Sequence, residues 1–340
     1  MTIRMHIEKA GPAMTVQDMG RQGYLAYGLT RGGAADMLAL HEGAALLGQS
    51  PEHAAIEMVG MGGTFAVDSD TVIALTGAKM AATIGGAPVV WNASHSLPAG
   101  AKLVIGGAQA GSCGYLHVAG GFATAEVMGA RSTHLTAGIG TLLQTGNVLP
   151  LGTNTSDRSG YFIEPENRLT GGDIRIVASV QTQQFSDETL ARFEETAFQR
   201  DARGNRQGVR MASQGEGFFA EGGLSIVSEV ISEGDIQITG DGAPYVLMCE
   251  CQTTGGYPRI GTVIPADLPC IAQAPVGAPL TFRFVTLEEA REIELKHRSA
   301  IKTLPGQVQP LVRNLNGVAD LLGYQLIGGA VSALADPFDD

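Results

Sequence analysis

The chain has 340 residues, more than one typical domain, with 44% hydrophobic residues, 16% charged residues and 47 glycines. That composition excludes a disordered chain and describes a turn-rich globular protein, long enough to bury a core without staples. A formal net charge of −12 excludes nucleic acid and anionic membrane as partners, since both demand a basic face.

The opening MTIRMHIEKAGPAM lacks the apolar stretch of a signal peptide, and no apolar run reaches the ~18 residues of a membrane span, so the expected compartment is the cytoplasm. Residues 36–47 form a predicted helix whose only breaker is Gly43, with Asp36 as N-cap. Short glycine-punctuated runs at 63–67, 72–75, 87–91, 102–105 and 115–118 predict strands. After a polar loop at 154–157, more strands are predicted at 173–177, 223–227, 235–239, 245–248, 261–264 and 280–284. A second helix is expected from Ser186 to about Phe198, capped by Ser186. The charged stretch 287–299 predicts a third helix, stopped by Leu304-Pro305-Gly306. Residues 307–333 have an amphipathic pattern, expected to pack back on the rest of the molecule. Runs this short and regular read as antiparallel barrels or sandwiches, a mainly β fold.

An internal echo supports duplication. Gly20-Arg21-Gln22-Gly23-Tyr24 resembles Asn205-Arg206-Gln207-Gly208-Val209, and Glu57 precedes Gly77 by the same interval that separates Glu229 from Cys249. The expected organisation is a first lobe over 1–155, a second over 156–286 and a helical tail over 287–340.

The densest chemistry lies in QTTGGYPR, residues 252–259. Gly255 and Gly256 permit positive φ and close approach of a ligand to bare backbone amides. Pro258 fixes the backbone after Tyr257. Gln252, Thr253, Thr254 and Tyr257 donate and accept hydrogen bonds, and Arg259 offers a fork suited to a carboxylate. The stretch reads as a ligand-facing loop rather than a bare turn. Two further loops carry arginines. In the first, Gln17 and Asp18 precede Arg21, with Arg31-Gly32-Gly33 beyond; Asp18 is either a charge anchor or half of an ion pair locking the loop. In the second, Arg206 and Arg210 flank a glycine, and one of them is expected to pair with Glu229 while the other stays free for a carboxylate. Three such loops together would line a cleft for a small amide or carboxylate.

Other signals are weak. The cysteines Cys113, Cys249, Cys251 and Cys270 lack zinc spacing and read as buried thiols, so no metal is expected. The histidines are scattered; His117 and His134 read as structural. No Walker, Rossmann or nucleophile-elbow motif is present.

The stretch 252–269, QTTGGYPRIGTVIPADLP, together with TVQDMGRQGYLAYGLTRGGAAD at 15–36, resembles the carboxyltransferase family that includes the C-type subunit of 5-oxoprolinase, the second subunit of allophanate hydrolase and the Kip-type antagonist. Val118-Ala119-Gly120-Gly121-Phe122 and Gly129-Ala130-Arg131-Ser132-Thr133 also fit. The resemblance implies two cyclophilin-like β-barrel lobes. It implies a protein that works with a B-type sister, similar to the first subunit of allophanate hydrolase, and with an α/β-barrel subunit in ATP-dependent opening of 5-oxo-L-proline to L-glutamate. The alternatives within the family are carboxyl transfer from carboxybiotin, brought by a biotin carrier, to a urea-like amide, and regulatory binding. No cofactor is expected on this chain alone; ATP would enter through a partner. Asp18, Arg206, Glu229, Tyr257 and Arg259 are the candidate catalytic residues. Gln17, Arg21, Arg31, Arg210, Gln252, Thr253, Thr254, Gly255, Gly256 and Pro258 are the candidate substrate-binding residues. The chain departs from the family pattern at Glu250, where aspartate is usual, at Ala44, and at Gly140-Thr141 and Gly146-Asn147.

Overall fold

A computed structural model describes residues 3–154, 156–223 and 226–312. The fold is mainly β, in two lobes. The first is an eleven-stranded sheet running Gln309–Pro310, Tyr161–Phe162, Ala93–Leu97, Thr71–Ile84, Leu103–Val118, Thr64–Val67, Arg4–Lys9, Val148–Pro150. Ala55–Val59 also pairs with Leu103–Val118 and carries Met14–Gln17, while Ala87–Val89 folds back on Thr71–Ile84. Met5, Ile7, Phe65, Ile73, Leu75 and Leu116 are fully or almost fully buried in its core.

The second lobe is a closed seven-stranded barrel: Gly172–Val177, Arg259–Val263, Asp235–Ile238, Pro244–Leu247, Gly208–Ala212, Phe198–Gly204 and Pro279–Phe284. Its strands are antiparallel except where Gly172–Val177 meets Pro279–Phe284. Phe193, Phe198, Phe218 and Phe282 pack as tilted, edge-on and stacked pairs 5.1–5.6 Å apart at its centre. This explains why the second helix stops at Glu195, short of the expected Phe198: that ring belongs to the barrel, so the chain turns extended to deliver it.

Helix α1 (Met37–Leu47) is capped by Asp36, which accepts from Ala39 N at 3.2 Å. Helix α2 (Asp187–Glu195) is capped by Ser186, α3 (Leu268–Gln273) reaches the first lobe, and α4 (Leu287–Gln307) opens with a Thr286/Glu289 capping box. Pro305 does not stop α4. The helix runs past it to Gln307, and Leu304 is buried there in one cluster with Leu38 and Leu46 of α1. Most of the amphipathic stretch 307–333 lies outside the described residues. So does part of the strand expected at 223–227; the residues described there are not strand, and pairing begins at Glu229–Val230. Tyr161–Phe162 still belongs to the first sheet, so the crossing to the barrel falls after it rather than at the polar loop 154–157. The crossing is pinned by Arg168, which donates to Asp36 at 2.8 Å and to both oxygens of Glu42 at 2.8 and 2.7 Å. Among the described residues, no helix is long and apolar enough to cross a membrane.

Candidate functional site

A cleft of about 490 Å3 opens between the two lobes. The first lobe contributes Thr15, Glu57, Ser112, Cys113 and Thr136, and the barrel contributes Arg200, Asn205, Arg206, Gln207 and Glu250. Arg206 fastens the lobes together. It donates through Nε to Glu250 Oε1, through Nη1 to Glu57, and through Nη2 to the Gly33 carbonyl. Both carboxylates are 1% exposed. Burial pulls the Arg206 guanidinium down, but Glu57 and Glu250 outweigh it and hold the group well above its ordinary value. The other oxygen of Glu57 accepts from Tyr115 Oη at 2.7 Å and Ala35 N at 2.9 Å. The other oxygen of Glu250 accepts from Thr136 N at 3.1 Å. Every oxygen of the two carboxylates is therefore occupied, so neither stands ready as a general base.

His134 Nδ1 lies 3.7 Å from Glu250 Oε2. Its Nδ1 accepts from Ala137 N at 3.2 Å, leaving Nε2 to donate to Thr30 Oγ1 at 3.1 Å, which donates on to Cys251 O. Burial lowers its pKa, with Glu250 opposing. These bonds describe the structural histidine expected from the sequence. His117 is likewise buried, bonded to Thr76 at 2.8 Å. Burial pushes the Cys249 and Cys251 thiols up to about 12; the two lie just beyond the strand Pro244–Leu247.

The three expected loops do not line one cleft: the second and third meet at a shared hollow, while the first is taken up by contacts of its own. Gln17 is fully buried, its Nε2 donating to Thr15 Oγ1 and Thr133 O, so it does not face a ligand. Asp18 and Arg21 do not pair. Asp18 accepts from Gly20 N and Arg131 N, while Arg21 is spent on Val127 O, Ser132 Oγ and Ser132 O. Both clamp the 127–132 loop. Arg31 is held by Glu233 at 3.0 Å across the lobes. Arg21 and Arg31 line a separate hollow of about 200 Å3.

In the second loop, Arg210 is consumed by Asp201 and Asp241 at 2.9 and 2.8 Å, away from the cleft. Glu229 pairs with neither arginine of that loop. It accepts from Arg259 at 2.9 Å, and Arg259 also donates to Asp235, Gln181 Oε1 and Val230 O. A guanidinium so occupied has little left for a carboxylate, which corrects the expectation for Arg259. Thr254–Gly255 forms a two-stranded ribbon with Glu229–Val230. Gly255 and Gly256 do not adopt positive φ. A Cβ at Gly255 would meet Gln237 Nε2, the end of a flexible side chain, and crowd Ile231. Pro258 is buried, Thr253 partly so and Thr254 exposed. Gln252 and Tyr257 line a neighbouring hollow of about 350 Å3 that shares Gly204, Asn205 and Gln207 with the main cleft. Of the expected site residues, Arg206 alone lines the interlobe cleft.

A family model described as "Carboxyltransferase domain, subdomain A and B" matches residues 27–284, a span that takes in both walls of this cleft. The chain belongs to this carboxyltransferase family. It is 35% identical over 290 residues to the C-type subunit of 5-oxoprolinase from Escherichia coli (strain K12), covering 84% of this chain and 93% of that protein. It is 33% identical over 288 residues to the corresponding 5-oxoprolinase protein of Haemophilus influenzae, covering 83% and 92%. The urea amidolyase structure from K. lactis shares the fold, with a TM-score of 0.78 at 22% identity over 92% of this chain; the match takes in only 21% of that longer chain.

Residues of this carboxyltransferase-family cleft that sequence reasoning passed over are Arg200 and Thr136, while Asn205 and Gln207 fall in the second arginine loop without an expected role of their own. Asn205 Oδ1 accepts from Gln207 N at 2.8 Å and Gly208 N at 3.3 Å, which orients the side chain and, among the described residues, leaves its Nδ2 without an acceptor. Gln207 Nε2 donates to Thr136 Oγ1 at 3.0 Å, joining barrel to first lobe. Arg200 has Nε buried without a partner and, among the described residues, no ion pair. The one signal that could have found it was its place in the charge-rich run QRDARGNR at 199–206.

Proposed function

We propose that this chain is the C-type subunit of a 5-oxoprolinase, supplying the interlobe cleft that holds a small amide while partner subunits bring ATP. The observation that carries the reading is the match to the 5-oxoprolinase protein of Escherichia coli across 84% of this chain and 93% of that protein. The cleft supports it. At about 490 Å3 it is the size of a small-molecule site, and its unspent polar groups include two donors, Arg200 and Asn205 Nδ2, suited to the oxygens of a lactam or carboxylate. Glu57 and Glu250 are locked by Arg206 and serve to hold the walls in register rather than to move protons. The central arginine of the lining is committed to two carboxylates, and among the described residues Arg200 is the one other cation in it, fewer than a triphosphate calls for. ATP is assigned to a partner subunit in this proposal.

The test is reconstitution with the partner subunits and an assay of ATP-dependent glutamate release from 5-oxo-L-proline. Release that requires this chain is the expected result. A stable complex that releases no glutamate overturns the reading and favours carboxyl transfer to an amide.

A further inference from the structure

We propose that Arg200 is the carboxylate-binding residue of the interlobe cleft and makes it selective for amides that carry a carboxylate over neutral ones. The proposal deepens the reading that this cleft holds the substrate, and it rests on that reading.

A half-buried guanidinium needs acceptors, because desolvation is costly unless the charge is paired. The arginines that sequence reasoning offered to a carboxylate are already satisfied: Arg206 by Glu57 and Glu250, Arg210 by Asp201 and Asp241, Arg259 by Glu229 and Asp235. Arg200 lines the same cleft, its Nε buried and unpartnered, and no acid among the described residues pairs with it. Its backbone is fixed by the neighbouring loop, N donating to Ala278 O at 3.0 Å and O accepting from Gly277 N at 2.8 Å. The strand register shifts between Arg200 and Gly204, the kind of irregularity that re-aims a side chain beside a site. A Cβ on Gly204 would lie 3.3 Å from Arg200 Nη2, so the glycine leaves the guanidinium its room. Asn205, with its Nδ2 free, lines the same cleft. A planar fork beside a lone amide donor matches a molecule with a carboxylate at one end and an amide carbonyl at the other. 5-Oxo-L-proline has that form; urea and 2-pyrrolidone lack the carboxylate.

The experiment uses the full chain, 15N-labelled, with the Arg200 Nε–H signal assigned by its loss in Arg200→Lys. Acetate, 5-oxo-L-proline, 2-pyrrolidone and inorganic phosphate are titrated in turn, and affinities are repeated in Arg200→Gln. The expected result is that both carboxylates shift the Arg200 signal, that Arg200→Gln weakens 5-oxo-L-proline about tenfold or more, and that binding of 2-pyrrolidone is unchanged. Equal losses for the two lactams overturn the proposal by making Arg200 merely structural, as does a signal that moves with phosphate and not with the carboxylates, or with none of the probes. If Arg200→Gln does not fold, the wild-type shifts and the Arg200→Lys affinities decide the same question. Carboxylate binding at Arg200 in a chain whose reconstituted complex releases no glutamate would sustain this site while removing the 5-oxoprolinase assignment.

Discussion

Replacing Arg206 with methionine keeps much of the stem's packing and removes the cation from between two buried acids. Glu57 and Glu250 are each 1% exposed, and removing one member of a buried pair costs about 3–5 kcal/mol. Glu57 keeps Tyr115 Oη and Ala35 N, and Glu250 keeps Thr136 N, so the lower end of that range, about 3 kcal/mol, is expected. That is a large fraction of a typical stability of ~5–15 kcal/mol. Urea titration followed by Trp91, the one tryptophan, packed against the first-lobe core, and by far-UV circular dichroism would read the loss. Arg206→Met combined with Glu57→Gln and Glu250→Gln should recover most of it, because neutralising every partner leaves no buried charge unpaired. An unchanged midpoint in the single variant, or a triple variant no better than the single, would refute the view that this cluster holds the lobes in register.

Two more predictions concern the packing behind the cleft. Burial pushes the His117 pKa down to about 3 from an ordinary 6.5. The proton is therefore taken up only on unfolding, and the stability this group contributes is full above pH 6.5 and lost as pH falls from there toward 3. Wild type should lose about 2 kcal/mol more than His117→Gln between pH 6.5 and 5 in urea titrations; parallel losses would contradict it. Gly43→Ala should destabilise by about 1–2 kcal/mol, because the overpacking cost exceeds the gain in helix propensity. The new Cβ would collide with the His117 ring. A raised melting temperature would show that the ring yields.

What the sequence disclosed follows the range of the interactions involved. The α1 cap at Asp36, the α2 cap at Ser186 and most of the hydrophobic strands rest on local patterning and were readable. Polar strands were not: Ala93–Leu97 reads ASHSL and Phe198–Gly204 reads FQRDARG, with their pairing set by distant partners. The arginines were recognised as important and mostly given the wrong partners. Arg206 meets Glu57 from 149 positions away and Arg31 meets Glu233 from 202, and no local spacing encodes such encounters. The internal echo of Glu57 and Glu229 was visible, but not that the barrel's Arg206 reaches the first lobe's glutamate while Glu229 turns to Arg259. Arg200 was passed over because what distinguishes it, the absence of a partner, exists only once the chain is folded.

The most direct measurement is a crystal structure of the reconstituted complex soaked with 5-oxo-L-proline. The account predicts the ligand between the lobes, its carboxylate on Arg200 and its lactam oxygen within about 3.5 Å of Asn205 Nδ2. A ligand seated instead in the hollow beside Gln252 and Tyr257, or on a partner subunit alone, would contradict it.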